Sequence, residues 1–447
     1  MNDTQKQLYK NLIKTYYEPD SGVQFNALIE KTLQDDPEMK NILSILCGVE
    51  ALQDDKSFAH TLANALTKQN VREKIIYKVT RCSTDCISED GKSKCQSVCP
   101  FDAIMKDKAG EKWIDETLCM SCGKCVAACE KGNYIDVPQF LPLAALLKEH
   151  QPVVAIVAPA IAGQFGEGVQ LDQLREAFIQ IGFKDMVEVA VAADILSFKE
   201  ALEFDAHVKK KGDFMITSCC CPMWVAALRK VYHELIPELS PSVSPMIAMA
   251  RVLKAIDNSV KVVFVGPCIA KKAEAKEKDL IGAVDYVLTF EELKLIFETL
   301  GVNPAACTGV PTVDYASTGG RLYAHTGGVS QAIKDIVDEL FPEKSKLFDA
   351  VQADGMKNCK TLLEALQKGE HQASFIEGMG CNGGCVGGPK AIISAEEGRK
   401  AVDKTAYESA IKIPIHSEVL VTLLKQIGVT DPYTLMEGHS LFERSFK

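Results

Sequence analysis

Cysteines are crowded into a few short stretches of this chain, and this crowding limits its possible folds more than any other feature. Of 17 cysteines in 447 residues, eight lie between Cys82 and Cys129, three are consecutive at 219–221, and two are Cys381 and Cys385. The N-terminus shows neither an apolar signal region nor a twin arginine, which predicts a cytoplasmic chain. In that reducing compartment, clustered cysteines indicate metal ligands or catalytic thiols rather than disulfides.

The composition is that of a globular protein of about three domains. Hydrophobic residues make up 47% and charged residues 25% of the chain. The longest apolar run, residues 153–163, is interrupted by Pro159 and is too short for a membrane span. The net charge of −10 argues against nucleic acid as a main partner. We therefore expect neither a membrane span nor a nucleic-acid partner.

Three regions differ in pattern. Residues 1–80 have apolar positions at helical spacing, and no chemistry can be assigned to them. Residues 81–138 form the cysteine-dense module. Residues 139–447 alternate short apolar strands with amphipathic helices, which predicts an α/β fold with parallel sheets and a helical C-terminal end. The predicted strands are 153–157, 186–191, 214–216, 262–265, 286–288 and 374–376, and the predicted helices are 170–181, 193–210, 223–234, 244–256, 290–299, 328–339 and 359–368.

Four unusual loops each follow a predicted strand. They are residues 158–160, 217–222, 266–268 and 378–388, and three of them carry cysteines. Ligands of parallel sheets bind beyond the carboxyl ends of the strands. We therefore expect these loops to converge on one buried site.

The cysteine-dense module predicts two 4Fe-4S clusters. Its second run has the x2, x2, x3 spacing of bacterial 4Fe-4S proteins, and a partner run with longer loops precedes it and ends in Cys-x3-Cys-Pro. Because the last cysteine of each run usually serves the other cluster, ligation is expected to cross. Cluster one would take Cys82, Cys86, Cys95 and Cys129, and cluster two would take Cys119, Cys122, Cys125 and Cys99. A zinc-binding module is the alternative, because Cys-x2-Cys pairs also bind zinc.

A second kind of metal site is predicted where the loops meet. Cys221, Cys268, Cys381 and Cys385 supply soft thiolates, which suit iron-sulfur clusters. Six glycines lie at 378–388, and glycine permits a close backbone approach to a bulky ligand. For the glycines taken by themselves, a flexible turn is the alternative explanation.

Three loops together resemble the signature loops of FeFe-hydrogenases. They read Thr-Ser-Cys-Cys-Cys-Pro-Met-Trp at 217–224, Gly-Pro-Cys-Ile-Ala-Lys-Lys-Ala-Glu at 266–274, and Glu-Gly-Met-Gly-Cys-Asn-Gly-Gly-Cys at 377–385. With the preceding module, the resemblance covers residues 81–390 and points to a subgroup with a triple-cysteine first loop and two ferredoxin-type clusters. It implies a two-lobed catalytic domain over 139–447.

The resemblance implies an H-cluster, a 4Fe-4S cubane linked to a di-iron subsite with CO, cyanide and a bridging dithiolate amine. Cys221, Cys268, Cys381 and Cys385 would hold the cubane, with Cys385 also bridging to the di-iron subsite. Lys271 would donate a hydrogen bond to a cyanide, which suits a compact ammonium in a dry pocket. Ala158, Pro159 and Met379 would line the site.

The same resemblance implies a proton relay. Cys220 takes the place of the thiol that passes protons to the bridgehead amine. Glu200 and Glu203 lie three residues apart on the predicted helix 193–210, and Ser240 follows downstream, in register with the family's relay residues. The implied path runs Cys220, Glu200, Ser240, Glu203 and solvent.

Several positions differ from the best known members. Gly266 replaces a methionine, Cys219 and Ala160 replace serines, and Met246 replaces a glutamine. His207 takes the place of a basic outlet residue. These differences leave open the rate, the directional bias and the response to oxygen.

The leading hypothesis is an enzyme that interconverts protons and electrons with H2. Its expected partners are a ferredoxin or similar low-potential carrier and the maturation proteins of the di-iron unit. A slow hydrogen sensor is a second hypothesis, although no sensory or kinase module is evident. A hydrogenase-like protein for iron-sulfur assembly or electron transfer, without the di-iron unit, is the third.

Overall fold

The computed structural model describes residues 1–17, 21–51, 57–82, 86–87, 91–217, 220–311, 315–436 and 440–446. The first 80 residues are mainly helical, as their apolar spacing predicts. The helices are α1 (Asp3–Tyr17), α2 (Ser21–Asp35), α3 (Lys40–Leu46) and α4 (Phe58–Thr67). Their buried side chains, including Tyr9 and Leu62, belong to the same hydrophobic core as strand 153–157.

The cysteine-dense module consists of short elements around its cysteines. They are β1 (Ile76–Lys78), α5 (Lys94–Ser97), β2 (Ile104–Lys106), β3 (Lys112–Ile114), α6 (Lys124–Ala128) and β4 (Tyr134–Asp136). Strand β1 pairs antiparallel with β4, and β2 pairs antiparallel with β3. The module is therefore closed by pairing between its first and last strands.

The remainder is α/β, as predicted. Its strands are β5 (Val153–Val157), β6 (Asp185–Glu188), β7 (Met215–Ile216), β8 (Lys261–Gly266), β9 (Tyr286–Thr289), β10 (Ala350–Asp354) and β11 (Phe375–Met379). Its helices are α7 (Phe140–Lys148), α8 (Leu171–Gln180), α9 (Ala190–His207), α10 (Pro222–Lys230), α11 (Pro245–Ile256), α12 (Ala270–Glu274), α13 (Phe290–Leu300), α14 (Thr318–Leu322), α15 (Gly328–Leu340), α16 (Gly355–Gln367), α17 (Ala395–Tyr407) and α18 (Glu418–Gln426).

Two parallel sheets form the two lobes. The larger has the order β6-β5-β8-β9 and the smaller has the order β10-β11-β7, with every pairing parallel. Every residue of β5 and of β11 is buried, which explains their apolar sequences. The loops at 158–160 and 266–268 leave the carboxyl ends of neighbouring strands, and the other two loops leave β7 and β11 in the same way.

Some predicted boundaries are wrong. Strand β6 ends at Glu188 rather than at 191, because Ala190 begins helix α9. Helix α16 begins at Gly355 rather than at 359. Strand β10 was not predicted, because its half-exposed sequence contains Gln352 and Asp354 and has no continuous apolar run.

Buried charges join the module to the larger lobe. Asp136, at the end of β4, lies 3.0 Å from Lys272 Nζ and 2.9 Å from Lys390 Nζ. Lys272 is fully buried and also pairs with Glu292 at 3.0 Å. Burial opposes ionisation of Asp136, but Lys390 and Lys272 lower its pKa well below the ordinary range. Asp136 therefore binds one lysine within the second signature loop, Lys272, and one that follows the third, Lys390.

The segment 440–446 returns to the protein surface beside residues 241–243. The backbone N–H of Val243 donates to Phe442 at 2.9 Å, and that of Arg444 donates to Pro241 at 2.9 Å. Within the described residues, no helix is both long enough and apolar enough to cross a bilayer.

Candidate functional site

Four cysteines from three loops meet between the two lobes. Cys221 is the N-cap of α10, where Pro222 occupies the first helical position. Cys268 follows β8, and Cys381 and Cys385 follow β11. The backbone N–H of Gly380 donates to Cys221 Sγ at 3.2 Å, which ties the first loop to the last.

The four thiols are close enough to affect one another's ionisation. Burial and the neighbouring Cys221 and Cys385 raise the pKa of Cys268 to about 12. Burial and Cys221 raise the pKa of Cys385 to about 11, and burial together with the other three cysteines raises that of Cys381. Thiols with raised pKa values need a positive partner to hold them as thiolates, which a metal centre provides. In the described parts of the chain, no three Cys, His, Asp or Glu side chains surround a single-ion position.

The glycines of the 378–388 loop are required by protein contacts. A Cβ at Gly378 would lie 2.1 Å from the Trp224 ring, and one at Gly380 would lie 2.6 Å from Met223 Cβ. A Cβ at Gly384 would lie 2.7 Å from the backbone N of Thr326. At these three positions the missing Cβ lets the signature loops pack together. That the loop also wraps a bulky ligand stays a prediction.

Lys271 lies beside this cysteine group with unused donors. It is 6% exposed, and its Nζ is 2.7 Å from Glu274 Oε2. The contact lacks hydrogen-bond geometry, so Lys271 Nζ has no hydrogen-bond acceptor among the described residues. Burial lowers the pKa of Lys271, but Glu274, Cys268 and Cys385 outweigh burial, and the net shift is upward. The site therefore contains a buried ammonium that can bind an anion.

The expected lining residues are buried near the same loops. Ala158 is 7% exposed and precedes a short 3-10 helix that begins at Pro159, and Met379 ends β11 and is 1% exposed. A Cβ at Gly266 would lie 2.6 Å from the Phe264 ring and 3.4 Å from Ala158 Cβ. The Phe264 ring thus fills the space of a side chain at 266, which explains the glycine there.

The cysteines expected for cluster two lie together. Burial raises the pKa values of Cys119 and Cys122, the latter to about 11, and Cys99 contributes to both. Burial followed by Cys122, Cys119 and Cys99 also raises the pKa of Cys125. Cys99 comes from the first run of cysteines, so the structure brings together the crossed set that the spacing predicts.

The cysteines expected for cluster one line a single cavity of about 80 Å³. Cys82, Cys86, Cys95 and Cys129 all contribute to its wall, together with Tyr134. The thiol of Cys95 lies 3.8 Å from the Tyr134 hydroxyl. Cys129 comes from the second run, so this group is also crossed.

The module contacts the loop that carries Cys268. Gly123 lies between Cys122 and Cys125, and a Cβ there would lie 2.2 Å from Ile269 Cδ1. Ile269 directly follows Cys268 in sequence. The Lys124 ammonium lies near both Cys122 and Cys381, where it offsets a small part of the rise in pKa that burial causes in each thiol. The expected ligands of cluster two and of the four-cysteine site therefore lie on either side of the contact between Gly123 and Ile269.

Glu200 is fully buried on helix α9. Burial raises its pKa to about 7, the charge of Glu203 adds to this effect, and the hydroxyls of Thr217 and Ser240 partly offset it. Neither carboxylate oxygen has a protein hydrogen bond of normal geometry among the described residues. A carboxyl group with a pKa near 7 can both accept and release a proton at neutral pH.

Ser240 connects this helix to the end of β7. Its backbone N–H donates to Ile216 at 2.9 Å, and its hydroxyl donates to Glu203 Oε2 at 2.7 Å. Cys220 is also buried, at 7% exposure. Ser218 and Cys219 lie outside the described residues. His207 is exposed and lies 2.6 Å from Glu238, so the structure pairs it with that residue rather than with Glu203.

Two residues near the site were missed by sequence reasoning. Cys359 is fully buried near Cys221 and donates from Sγ to Met379 at 3.3 Å, and nothing in its sequence context indicates this position. Lys199 is fully buried and pairs with Glu203. The sequence could have indicated this ion pair, because Lys199 stands four residues before Glu203 on a predicted helix.

Comparisons with known proteins agree with this geometry. Residues 151–389 match the family model described as iron only hydrogenase large subunit, C-terminal domain. Iron hydrogenase 1 of Clostridium pasteurianum is 28% identical over 369 residues, covering 62% of this chain and 64% of that protein. The NADP-reducing hydrogenase subunit HndD of Solidesulfovibrio fructosivorans is 27% identical over 336 residues, covering 63% of this chain and 57% of that protein. This chain thus spans less than two thirds of the length of these two relatives.

Other matches differ in their described roles. The cytosolic Fe-S cluster assembly factor narfl of Xenopus tropicalis is 24% identical over 345 residues, covering 63% of this chain and 72% of that protein. A variant of [FeFe]-hydrogenase HydA1 from Chlamydomonas reinhardtii has the same fold, with a TM-score of 0.56 at 23% identity, covering 67% of this chain and 97% of that chain. The family model spans more than half of the sequence, and the chain therefore belongs to the iron-only hydrogenase large-subunit family.

Proposed function

We propose that this protein is an FeFe-hydrogenase that interconverts two protons and two electrons with H2 at an H-cluster. The observation that carries the proposal is the convergence of Cys221, Cys268, Cys381 and Cys385 beside the Lys271 ammonium, which lacks a hydrogen-bond acceptor. Four thiolates suit an iron-sulfur cubane, and a buried ammonium whose ion pair with Glu274 leaves N–H donors unused suits an anionic ligand such as cyanide. The donor set thus fits both parts of the H-cluster.

The residues around this site have separate roles in the proposal. The four cysteines would hold the cubane, and Cys385 would also serve the di-iron subsite. Lys271 would donate a hydrogen bond to a cyanide, while the buried Ala158 and Met379 and the half-buried Pro159 would exclude water by their apolar surfaces. When bound, the H-cluster supplies the centre at which protons and electrons combine.

Electrons reach the site through the module. Two 4Fe-4S clusters are held by the crossed cysteine sets, with cluster one in the cavity lined by Cys82 and Cys129. Cluster two lies next to the Gly123–Ile269 contact, and Ile269 adjoins a cubane ligand. A ferredoxin or a similar low-potential carrier would supply the electrons in the cytoplasm, and dedicated maturation proteins would supply the di-iron unit.

Protons reach the site along α9. Cys220 exchanges a proton with Glu200, whose pKa of about 7 allows it to hold or release a proton. Ser240 lies between the two glutamates. Its oxygen accepts a proton from Glu200 while its hydroxyl proton passes to Glu203. Glu203, with a side chain 13% exposed, is the end of this path in the proposal.

Infrared spectroscopy of the matured protein tests the proposal. We expect CO and cyanide bands together with H2 production by the same sample. Cys221→Ala should abolish the bands, whereas Cys359→Ala, a matched change at a buried cysteine beside Cys221, should retain them. Bands of equal intensity in the two variants would contradict the ligand assignment.

Iron-sulfur assembly or electron transfer is the second candidate function. It is favoured by the similarity to the narfl assembly factor of Xenopus tropicalis, which is close in identity to the hydrogenase matches. A cubane without CO and cyanide bands, and with no H2 turnover, would support this candidate. CO and cyanide bands with very slow H2 turnover would instead indicate a hydrogen sensor.

A further inference from the structure

The outer end of the proposed proton path forms a closed network around Lys199. The Ser240 hydroxyl donates to Glu203 Oε2 at 2.7 Å, and its oxygen lies 2.9 Å from the Ser242 hydroxyl, from which it can accept. Lys199 Nζ in turn contacts Glu203 and donates to Ser242 Oγ at 3.4 Å. Lys199 itself is completely buried. The ammonium therefore closes a ring that contains two residues of the proposed relay.

The C-terminal segment adds a second carboxylate to this ring. Glu443 Oε1 lies 3.1 Å from Lys199 Nζ, and its side chain is 17% exposed. Residue 443 is paired with Ser242 by an isolated β-bridge, and hydrogen bonds of Val243 and Arg444 flank that pairing. The position of Glu443 is thus fixed by backbone contacts as well as by its charge.

The charges around the ring are unbalanced. Lys199, Glu200 and Glu203 belong to helix α9. Ser240 and Ser242 come from the loop that follows β7 and α10, and Glu443 comes from the C-terminal segment. Arg444 is nearby in sequence, but it is paired with Glu277 and with Asp279. One ammonium therefore holds two carboxylates that would otherwise repel each other.

We propose that Glu443 is a further proton-carrying residue at the outlet of the relay and that Lys199 is the positioning residue that holds Glu203 and Glu443 together. This inference rests on the proposed hydrogenase function and extends its path by one carboxylate. During H2 oxidation, the O–H bond of protonated Glu203 breaks as an O–H bond forms on Glu443, and Glu443 then releases the proton to water. The reverse sequence carries protons inward during H2 production.

Four variants of the full-length, matured protein test this inference. Glu443→Gln removes the second carboxylate and Lys199→Met removes the positioning charge, whereas Lys199→Arg keeps a positive charge at this position. Asp279→Asn is the matched control, because it removes an ion pair of the same C-terminal segment at Arg444 without touching the ring. H2 turnover is measured in H2O and in D2O, and hydrogen exchange of residues 440–446 is measured in protein without the di-iron unit.

We expect Glu443→Gln and Lys199→Met to lower turnover by about 10- to 100-fold, at or below the lower end of the usual contribution of a positioned acid–base group. The solvent isotope effect should rise in both variants, because proton transfer then limits the rate. Lys199→Arg should keep most of the turnover, and the turnover of Asp279→Asn should equal that of the unaltered protein. Hydrogen exchange of residues 440–446 should stay unchanged in Glu443→Gln, showing that the segment remains docked.

Two results separate the possible failures. Normal turnover and an unchanged isotope effect in Glu443→Gln would overturn this inference alone. Equal losses in Glu443→Gln and Asp279→Asn, with faster exchange of residues 440–446 in both, would also overturn it and assign the loss to undocking of the segment. Absence of turnover in the unaltered protein would refute the proposed function together with this inference.

Discussion

The contact between Gly123 and Ile269 predicts the effect of one added methyl group. Gly123 has φ of +77°, in the left-handed region. A Cβ there would lie 2.2 Å from Ile269 Cδ1, 3.1 Å from Cγ1 and 3.2 Å from Cβ. Ile269 is fully buried, so its side chain has little space into which to move. The change Gly123→Ala must therefore strain the backbone and also separate the module from the loop that carries Cys268.

The size of the effect follows from these two contributions. The left-handed conformation costs alanine roughly 1–2 kcal/mol, and overpacking a tight contact costs about 1–3 kcal/mol. The matched control is Gly110→Ala, because Gly110 has φ of +86° and its Cβ would find no atom closer than 3.6 Å. We expect Gly110→Ala to lose only the backbone contribution, so Gly123→Ala should be less stable than the control by about 1–3 kcal/mol.

The assay compares two activities of the matured protein. In the proposed function, turnover driven by reduced ferredoxin requires electrons to pass through the module, whereas H2/D2O isotope exchange at the active site requires no net electron supply. We expect Gly123→Ala to lower ferredoxin-driven turnover and to leave isotope exchange near that of Gly110→Ala. Equal ferredoxin-driven turnover in the two variants would refute the assignment of this contact to the electron path.

Three further predictions concern buried groups. Cys220→Ala should retain the CO and cyanide bands but lower H2 turnover by about 100-fold or more, and full turnover per iron would contradict the relay. Burial raises the pKa of Glu200 from 4.5 to about 7, so its ionisation costs folding free energy as the pH rises through this range. Relative to the unaltered protein, Glu200→Gln should therefore gain about 3 kcal/mol of folding stability between about pH 5 and about pH 8. A difference in Tm between the two proteins that does not change with pH would contradict this prediction. Asp136→Asn should destabilise the fold by about 3–5 kcal/mol, because Lys272 and Lys390 lose a shared buried carboxylate. An unchanged Tm would contradict this and would show that Glu292 beside Lys272 and Glu291 beside Lys390 are sufficient counter-charges.

Much of the α/β architecture could be predicted from the sequence, because fully buried parallel strands have continuous apolar sequences. Val153–Val157 illustrates this, since every residue of β5 is buried. Strand β10 could not be predicted, because its exposed and polar positions remove that signal. The start of α9 was also misplaced, because the apolar residues 189–191 are compatible with either a strand or a helix.

The convergence of the cysteine loops could be predicted for a topological reason. Loops that leave the carboxyl ends of paired parallel strands lie at one edge of a sheet, so Cys221 after β7 and Cys385 after β11 meet although they are far apart in sequence. Cys268 follows β8 in the other sheet, so its approach to Cys385 depends on how the two lobes pack. The contact between Lys199 and Glu443 has no such rule behind it, because it depends on how the C-terminal segment docks on residues 241–243. The roles assigned to these side chains remain predictions.

The shared carboxylate of Asp136 limits how far the cysteine-dense module can be exchanged. The module supplies the anion, and the α/β part of the chain supplies Lys272, within the second signature loop, and Lys390, shortly after the third. A chain shortened to begin after β4 would bury these two ammoniums with fewer counter-charges, at a cost of several kcal/mol. A natural or engineered version without the module would therefore need compensating replacements at positions 272 and 390, so these positions indicate whether a related sequence was selected with a module of this kind.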